Sequence, residues 1–386
     1  MSFDKIIISY AEIGLKCSNR SVFEKRLVEN IRHKLGDQLD SVRRQQGQLV
    51  ATPGPNADRD TIQDALIRIP GIAHIAFAHE MPIDLEKMKA RAPELVKELS
   101  FDSFKINARR HDKSIPMRSM DVNREVGAAV AVAYPDAKVQ MVNPDLEITI
   151  GLQKNAAHLS TGKIPGVGGL PTDPRQKAVA LLSGGLDSPV AAYMMMKRGC
   201  EVIFAHYQNT NQMTNAVEDK IIQLARQLSK YQVKTRLLII PFEGIQKEMI
   251  RHVKANLRML VYRRCMLRMS STLAQQEHAN FLIVGDSFSQ VASQTHQNLA
   301  ATYADCDTHI LSPLIGMDKK EITEISRTIG TFDISALPYG DCCSYFLPKH
   351  PELRAHLGTL RRCESSMDLT ELEADALANA RLEEWD

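Results

Sequence analysis

Ala178–Ser188, AVALLSGGLDS, decides how this chain reads. An apolar run ends abruptly in Ser183-Gly184-Gly185-Leu186-Asp187-Ser188, and a helical pattern, PVAAYMMMKRG, follows at once. The run suits a buried strand, and the glycine pair lets the backbone turn sharply and lie close to a bound group. A helix starting there points free N–H groups and the positive end of its dipole at the turn, which makes an anion site. Two serines add hydroxyl donors, and Asp187 can hold a magnesium ion. No lysine follows the glycines, so the loop is not of the Walker type. The plain alternative is a strand–turn–helix corner that binds nothing.

The whole chain narrows the classes further. With 386 residues, 44% of them hydrophobic, it can bury ample core, and two or three domains are expected. A net charge of +2 gives no overall cationic field, so any nucleic-acid contact must come from local basic patches. No run approaches the ~20 apolar residues of a membrane helix; Gly127–Tyr134 comes nearest and is too short. The opening MSFDKIIISYAEIG has acidic residues and an immediate strand pattern, unlike a signal peptide. Seven cysteines without a disulfide-framework spacing suit a reducing cytoplasm.

Patterning predicts an α/β chain in three parts. The first has a strand at Lys5–Tyr10 and a helix in which Phe23, Leu27, Ile31 and Leu35 recur at spacings of four. The loop between them carries Lys16 and Arg20. Leu49–Thr52 reads as another strand, and helix Thr61–Ile69 stops at Pro70-Gly71. A second part has helices at Asp84–Leu99 and Asp121–Ala133 and strands at Ser103–Ala108 and Leu146–Leu152, an α/β or α+β module. Lys163–Arg175 is dense in glycine and proline and reads as a linker. Beyond it, strands at Ala178–Leu182, Glu201–Tyr207, Thr235–Pro241 and Asn280–Val284 alternate with helices. That is a doubly wound parallel sheet, with ligands expected at the carboxyl ends of its strands. The tail, Pro351–Asp386, reads as a charged, solvated helix with an acidic end.

The loop resembles the PP-loop of ATP pyrophosphatases, which cleave ATP between its α and β phosphates and adenylate a substrate. Other segments fall where a nucleotide pocket should lie. His206-Tyr207 ends the second strand of the sheet, although His206 taken alone reads better as a structural histidine. Gly285 ends another strand, Gln290 or Gln294 could read a base edge, and Asp286 reads equally as a helix cap. Arg251–Arg268 reads as a helix with a solvated basic face, from which Arg263 is singled out as a charge partner for triphosphate. Asp318 and Glu321 make the D-x-x-E of a capping box. Lys319 opposes the dipole there and makes sense beside an anion such as leaving pyrophosphate. Cys342-Cys343 are either inert or, beside an adenylating site, thiols for sulfur transfer. Lys105, Arg109, Arg110, His111, Lys113 and Arg118 form a basic strand and loop, a solvated charge run or a set of RNA phosphate contacts.

Taken together the chain resembles the tRNA 4-thiouridine synthases, or tRNA sulfurtransferases. The likeness runs through YAEIGLKCSNRSVFEKRLVENI, FKINARRHDKSIP, GVGGLP, LLSGGLDSPVAAYMMMKRG, GDSFSQVASQT, LIGMDKKEI and LPYGDCCSYFLPKHP. It implies a ferredoxin-like domain (1–60), a THUMP RNA-binding domain (61–165), a linker (166–177) and a PP-loop domain (178–386). It implies that ATP adenylates O4 of uridine 8 in tRNA and that a persulfide sulfur, from a cysteine desulfurase, displaces AMP. Matching motif positions assign ATP contacts to Leu181, Leu182, Ser183, Gly184, Gly185, Asp187, Ser188, His206, Tyr207, Arg263, Gly285 and Gln294. Asp187, with Mg2+, and Lys319 become the key charged groups, and Cys343 or Cys342 the catalytic thiol. Cys17 replaces the family's usual glycine after Leu-Lys. No segment resembles the rhodanese domain of some members, so sulfur is expected by another route and a thiamine role lacks its usual carrier. Cys265 has no cysteine three residues away, and an iron–sulfur cluster on Cys265, Cys342 and Cys343 is not expected. A homodimer is left open. The rival readings are a PP-loop ligase or thiolase acting on another RNA position or a small molecule, and an RNA-binding module without catalysis.

Overall fold

Ile6 and Ile8 are fully buried while their neighbours are not, and this period of two builds the first core. The computed structural model describes residues 3–209, 215–337 and 350–386, in two units, Met1–Pro171 and Thr172–Asp386. The first unit runs β1 (Lys5–Ser9), two 3-10 turns, α1 (Arg20–Leu35), β2 (Leu39–Gln45), β3 (Gln48–Pro53), α2 (Arg59–Arg68) and β4 (His74–Met81). It continues with α3 (Leu85–Leu95), β5 (Ser103–Arg110), α4 (Ser119–Ala133), β6 (Lys138–Val139), β7 (Leu146–Leu152), β8 (Ala157–Thr161) and β9 (Ile164–Pro165). Its strands form one sheet in the order β2-β3-β1-β4-β8-β7-β5-β6, with β9 pairing β4.

Two cores lie along that sheet. The first joins Ile6, Ile8, Leu27, Ile31 and Leu49 to Ile62, Leu66, Ile69, Ile72 and Ile75. It therefore extends past residue 60, where the sequence reading ended the first module. The reason is β4, which pairs antiparallel with β1 on one side and β8 on the other and so belongs to both modules. The second core packs Met88 and Ala92 of α3 and Val122, Val126 and Val130 of α4 with Phe104, Ile148, Ile150 and Leu159.

The second unit runs β10 (Asp173–Leu181), α5 (Asp187–Lys197), β11 (Cys200–Gln208), α6 (Asn215–Ser229), β12 (Thr235–Pro241), α7 (Glu243–His252), α8 (Ala255–Gln276) and β13 (Phe281–Ile283). After a 3-10 turn come α9 (His296–Tyr303), β14 (His309–Leu311), α10 (Lys319–Thr328), α11 (Phe332–Ala336), α12 (Leu357–Ser365), α13 (Thr370–Ala378) and β15 (Arg381–Trp385). The order β14-β13-β10-β11-β12-β15 is parallel except for β15. The chain passes outward from β10 through β11 and β12, then crosses back to β13. The carboxyl ends of β10 and β13 thus flank the switch point where such sheets bind ligands.

The tail departs from the sequence reading. It is two helices and a strand, and Leu360, Leu369 and Ala376 are buried in the sheet's core. Its carboxylates also answer the basic face of α8. Arg264 is buried and donates to Glu364 and Asp305 at 2.9 Å, and Arg268 pairs with Glu373. Arg264 is thus a buried, paired arginine, whereas Arg268 is exposed and tied to a tail carboxylate. Their partners in the tail lie about a hundred residues downstream, beyond any local pattern.

Candidate active site

The SGGLDS loop closes on itself through its own serines. Ser183 N–H donates to Ser188 Oγ at 2.8 Å, the two hydroxyls lie 3.0 Å apart, and Gly185 N–H donates to Ser183 Oγ at 3.3 Å. Gly285 explains itself here. A Cβ on it would meet Ser188 N at 2.7 Å and the Asp187 carbonyl carbon at 2.9 Å, so the end of β13 lies against the start of α5. The close approach is to the loop's own backbone.

A cavity of about 410 Å³ opens at this switch point. Leu181, Leu182, Ser183, Gly185, Asp187, Ser188, His206, Tyr207, Arg263, Gly285 and Gln294 all line it. Gly184 is buried and outside that lining. Asn256, Met259, Val291 and Ala292 line it too, without a signal in the sequence beyond their nearness to α8 and the 290s segment. Lys319 reaches the loop from the start of α10, its Nζ 2.6 Å from Asp187 Oδ1, and Gln290 Nε2 donates to Asp187 Oδ2 at 2.8 Å. The capping box of Asp318 and Glu321 is present and fixes the helix start that presents this lysine.

Asp286 is not the helix cap that the sequence allowed. It is buried, and its carboxylate accepts from Arg263, from Tyr303 Oη at 2.5 Å and from Gln294 Nε2 at 2.9 Å. Burial alone would push its carboxyl up, but Arg263, Tyr303 and Gln294 pull it below the ordinary range. Arg263 therefore arrives at the cavity already paired, with Gln294 oriented by the same group. His206 Nδ1 bonds the Leu182 carbonyl at 2.8 Å, a structural bond at the cavity wall. The Tyr207 hydroxyl is turned away into α8, donating to Met266 O at 2.9 Å and lying 2.7 Å from Ser270 Oγ. Its burial raises the phenol's pKa.

Comparison with known proteins now has a site to explain. The family model described as Thiamine biosynthesis protein (ThiI) matches residues 174–369, the ThiI ferredoxin-like domain residues 5–76 and the THUMP domain residues 83–161. A probable tRNA sulfurtransferase of Caldanaerobacter subterraneus is 38% identical over 95% of this chain and 96% of its own. The chain belongs to the tRNA sulfurtransferase family. A second member, from Brevibacillus brevis, is 35% identical over 100% of this chain and 97% of its own. A crystal structure described as a 4-thiouridine synthetase–RNA complex with bound ATP superposes with a TM-score of 0.90, at 31% identity and 100% coverage of both chains.

Within this sulfurtransferase fold the basic residues of the first unit divide into two sets. Arg20 is held by Glu24 at 2.8 Å and the Tyr10 hydroxyl at 2.6 Å, and Lys16 by Glu12 at 3.8 Å. Lys105 and Lys163 converge on Glu147 at 2.9 and 3.0 Å, together with Asn107 Nδ2 at 2.7 Å. Burial would raise the Glu147 carboxyl, yet these donors bring it down to about 2. Arg109, Arg110 and Lys113 are exposed; Arg110 donates to Ile115 O at 3.1 Å. Cys342 and Cys343 lie outside the described residues. Cys265 is buried, with Sγ 3.3 Å from Glu373 Oε1, and burial first and that carboxylate second push its thiol well up. Among the described residues, no three His, Cys, Asp or Glu side chains are grouped to hold a metal, and no helix is long and apolar enough to cross a membrane.

Proposed function

We propose that this chain is an ATP-dependent tRNA sulfurtransferase that converts uridine 8 of tRNA to 4-thiouridine. One observation carries the reading: the cavity at the sheet's switch point is bordered by the SGGLDS loop, with Lys319 set across it on Asp187. ATP lies there with its phosphates toward the loop amides and the start of α5, where donors and dipole favour an anion. Asp187 is the one carboxylate of the loop, and one carboxylate plus phosphate oxygens suits Mg2+, which would neutralise phosphate charge. Lys319 exchanges Asp187 for the departing pyrophosphate. The uridine O4 attacks the α-phosphorus, pyrophosphate leaves, and O4 becomes part of a good leaving group, AMP. The outer sulfur of a persulfide then attacks C4 and AMP departs with the oxygen. A second thiol attacks the inner sulfur and breaks the S–S bond, so that the outer sulfur stays on C4 and the two thiols end as a disulfide. Cys343 or Cys342 supplies the thiol, loaded by a cysteine desulfurase in the cytoplasm. Arg109, Arg110 and Lys113 hold RNA phosphates, with Lys105, Lys16 and Arg20 shaping that surface through their carboxylate partners.

The test is direct. The purified chain, ATP, Mg2+, an unmodified tRNA transcript, a cysteine desulfurase and cysteine are combined, and the RNA is digested to nucleosides. Mass spectrometry and sequencing should locate 4-thiouridine at position 8. A different thionucleoside, another position, or none would overturn the reading.

A further inference from the structure

Helix α6 bonds the segment that reaches the SGGLDS loop, although none of its described residues lines the cavity. Lys220 is 2% exposed, and its Nζ donates to Ser335 O and Leu337 O, both at 2.9 Å. Seven residues on, along the same helix face, Gln227 Nε2 donates to Ile329 O at 2.7 Å. Gly330 turns there with a φ of +73°, and a Cβ on it would stand 2.5 Å from that amide nitrogen. The two side chains grip α11 at its entrance and its exit. An ammonium suits the second position, because the last carbonyls of a helix have no partner within it.

The gripped segment touches the loop at both ends. Lys319, at the start of α10, bonds Asp187 Oδ1 at 2.6 Å. Ser335 Oγ, at the end of α11, donates to Gly185 O at 3.3 Å. We propose that Lys220 is a positioning residue for adenylation: by pinning the end of α11 it sets Ser335 on Gly185 and, through the α10–α11 turn, Lys319 on Asp187. This rests on the adenylation reading above. Misplacement by an ångström or less at a reacting centre costs rate more than affinity.

Pyrophosphate release in the presence of tRNA reads the effect. Lys220→Met should slow the maximal rate about tenfold, with the KM for ATP changed less than about twofold, and Lys220→Arg should restore most of it. Ser335→Ala should lose less. Because the effect runs through Ser335, the double variant should be no slower than Lys220→Met alone. Additive losses, or an unchanged rate in folded Lys220→Met, would overturn the proposal. Hydrogen exchange needs no RNA and decides separately. Amides of 183–188 should exchange faster in Lys220→Met and in the milder Lys220→Gln, while those of β5 and β7 keep their wild-type rates. Unchanged exchange in Lys220→Gln overturns the proposal even if the methionine variant fails to fold. A wild-type protein that releases no pyrophosphate sinks the functional reading instead, and the exchange comparison still stands.

Discussion

Asp187 and Lys319 neutralise one another at 2.6 Å, and under the proposed mechanism each gives up the other for a ligand. Lys319→Ala should lower pyrophosphate release by roughly 10²–10³, the usual cost of removing one group that stabilises developing charge. Asp187→Ala should likewise abolish detectable thiolation; retained 4-thiouridine by nucleoside analysis would remove the loop from the chemistry. Asp286 acts differently, since it meets Arg263, Tyr303 and Gln294 inside the protein. Asp286→Ala leaves the guanidinium half-buried without its carboxylate. Breaking such a pair costs about 3–5 kcal/mol, so the urea midpoint should fall sharply, whereas Asp286→Asn, keeping the shape and one acceptor, should fall less.

At the scale of elements, Gly285→Ala should force β13 away from α5, because the nearest atoms are backbone and cannot swing aside. ATP affinity, measured by calorimetry, should drop with it. In the first unit, Glu147 ties β7 to β5 through Lys105 and Asn107. Its folded pKa of about 2 lies below the ordinary value of 4.5, so the stability it adds is present above 4.5 and lost as pH falls toward 2. Glu147→Gln should flatten that part of the urea-midpoint profile; an unchanged profile would mean that Lys105 and Lys163 contribute nothing through it. Much of this scale was legible in the sequence. The buried strands β10, β11 and β12 announced themselves by apolar and β-branched runs, and the SGGLDS corner by its glycines. β2, LDSVRRQ, escaped because an edge strand needs little apolar surface, and β4 because alanine and histidine blur its alternation. The cavity walls followed from strand ends, but Lys220 could not be found that way: its acceptors lie 115 and 117 residues downstream.

For the molecule as a whole, electrostatics and synthesis order matter most. A near-neutral chain must hold RNA through a few local charges, so Arg109→Gln with Arg110→Gln should weaken tRNA binding. The slope of log K against log salt should fall by about 0.7–0.9 for each phosphate that the variant no longer neutralises. An unchanged slope in filter binding would take both residues off the RNA surface. ATP, binding the folded cavity alone, should raise the melting temperature in proportion to the logarithm of its concentration. The crossover from β12 back to β13 has a further consequence. On the ribosome β10, β11 and β12 emerge early, yet one flank of the SGGLDS loop waits for residues 281–285 and one edge of the sheet for residues 381–385. A growing chain therefore carries its SGGLDS corner long before the backbone that packs against that corner at Gly285 has been made.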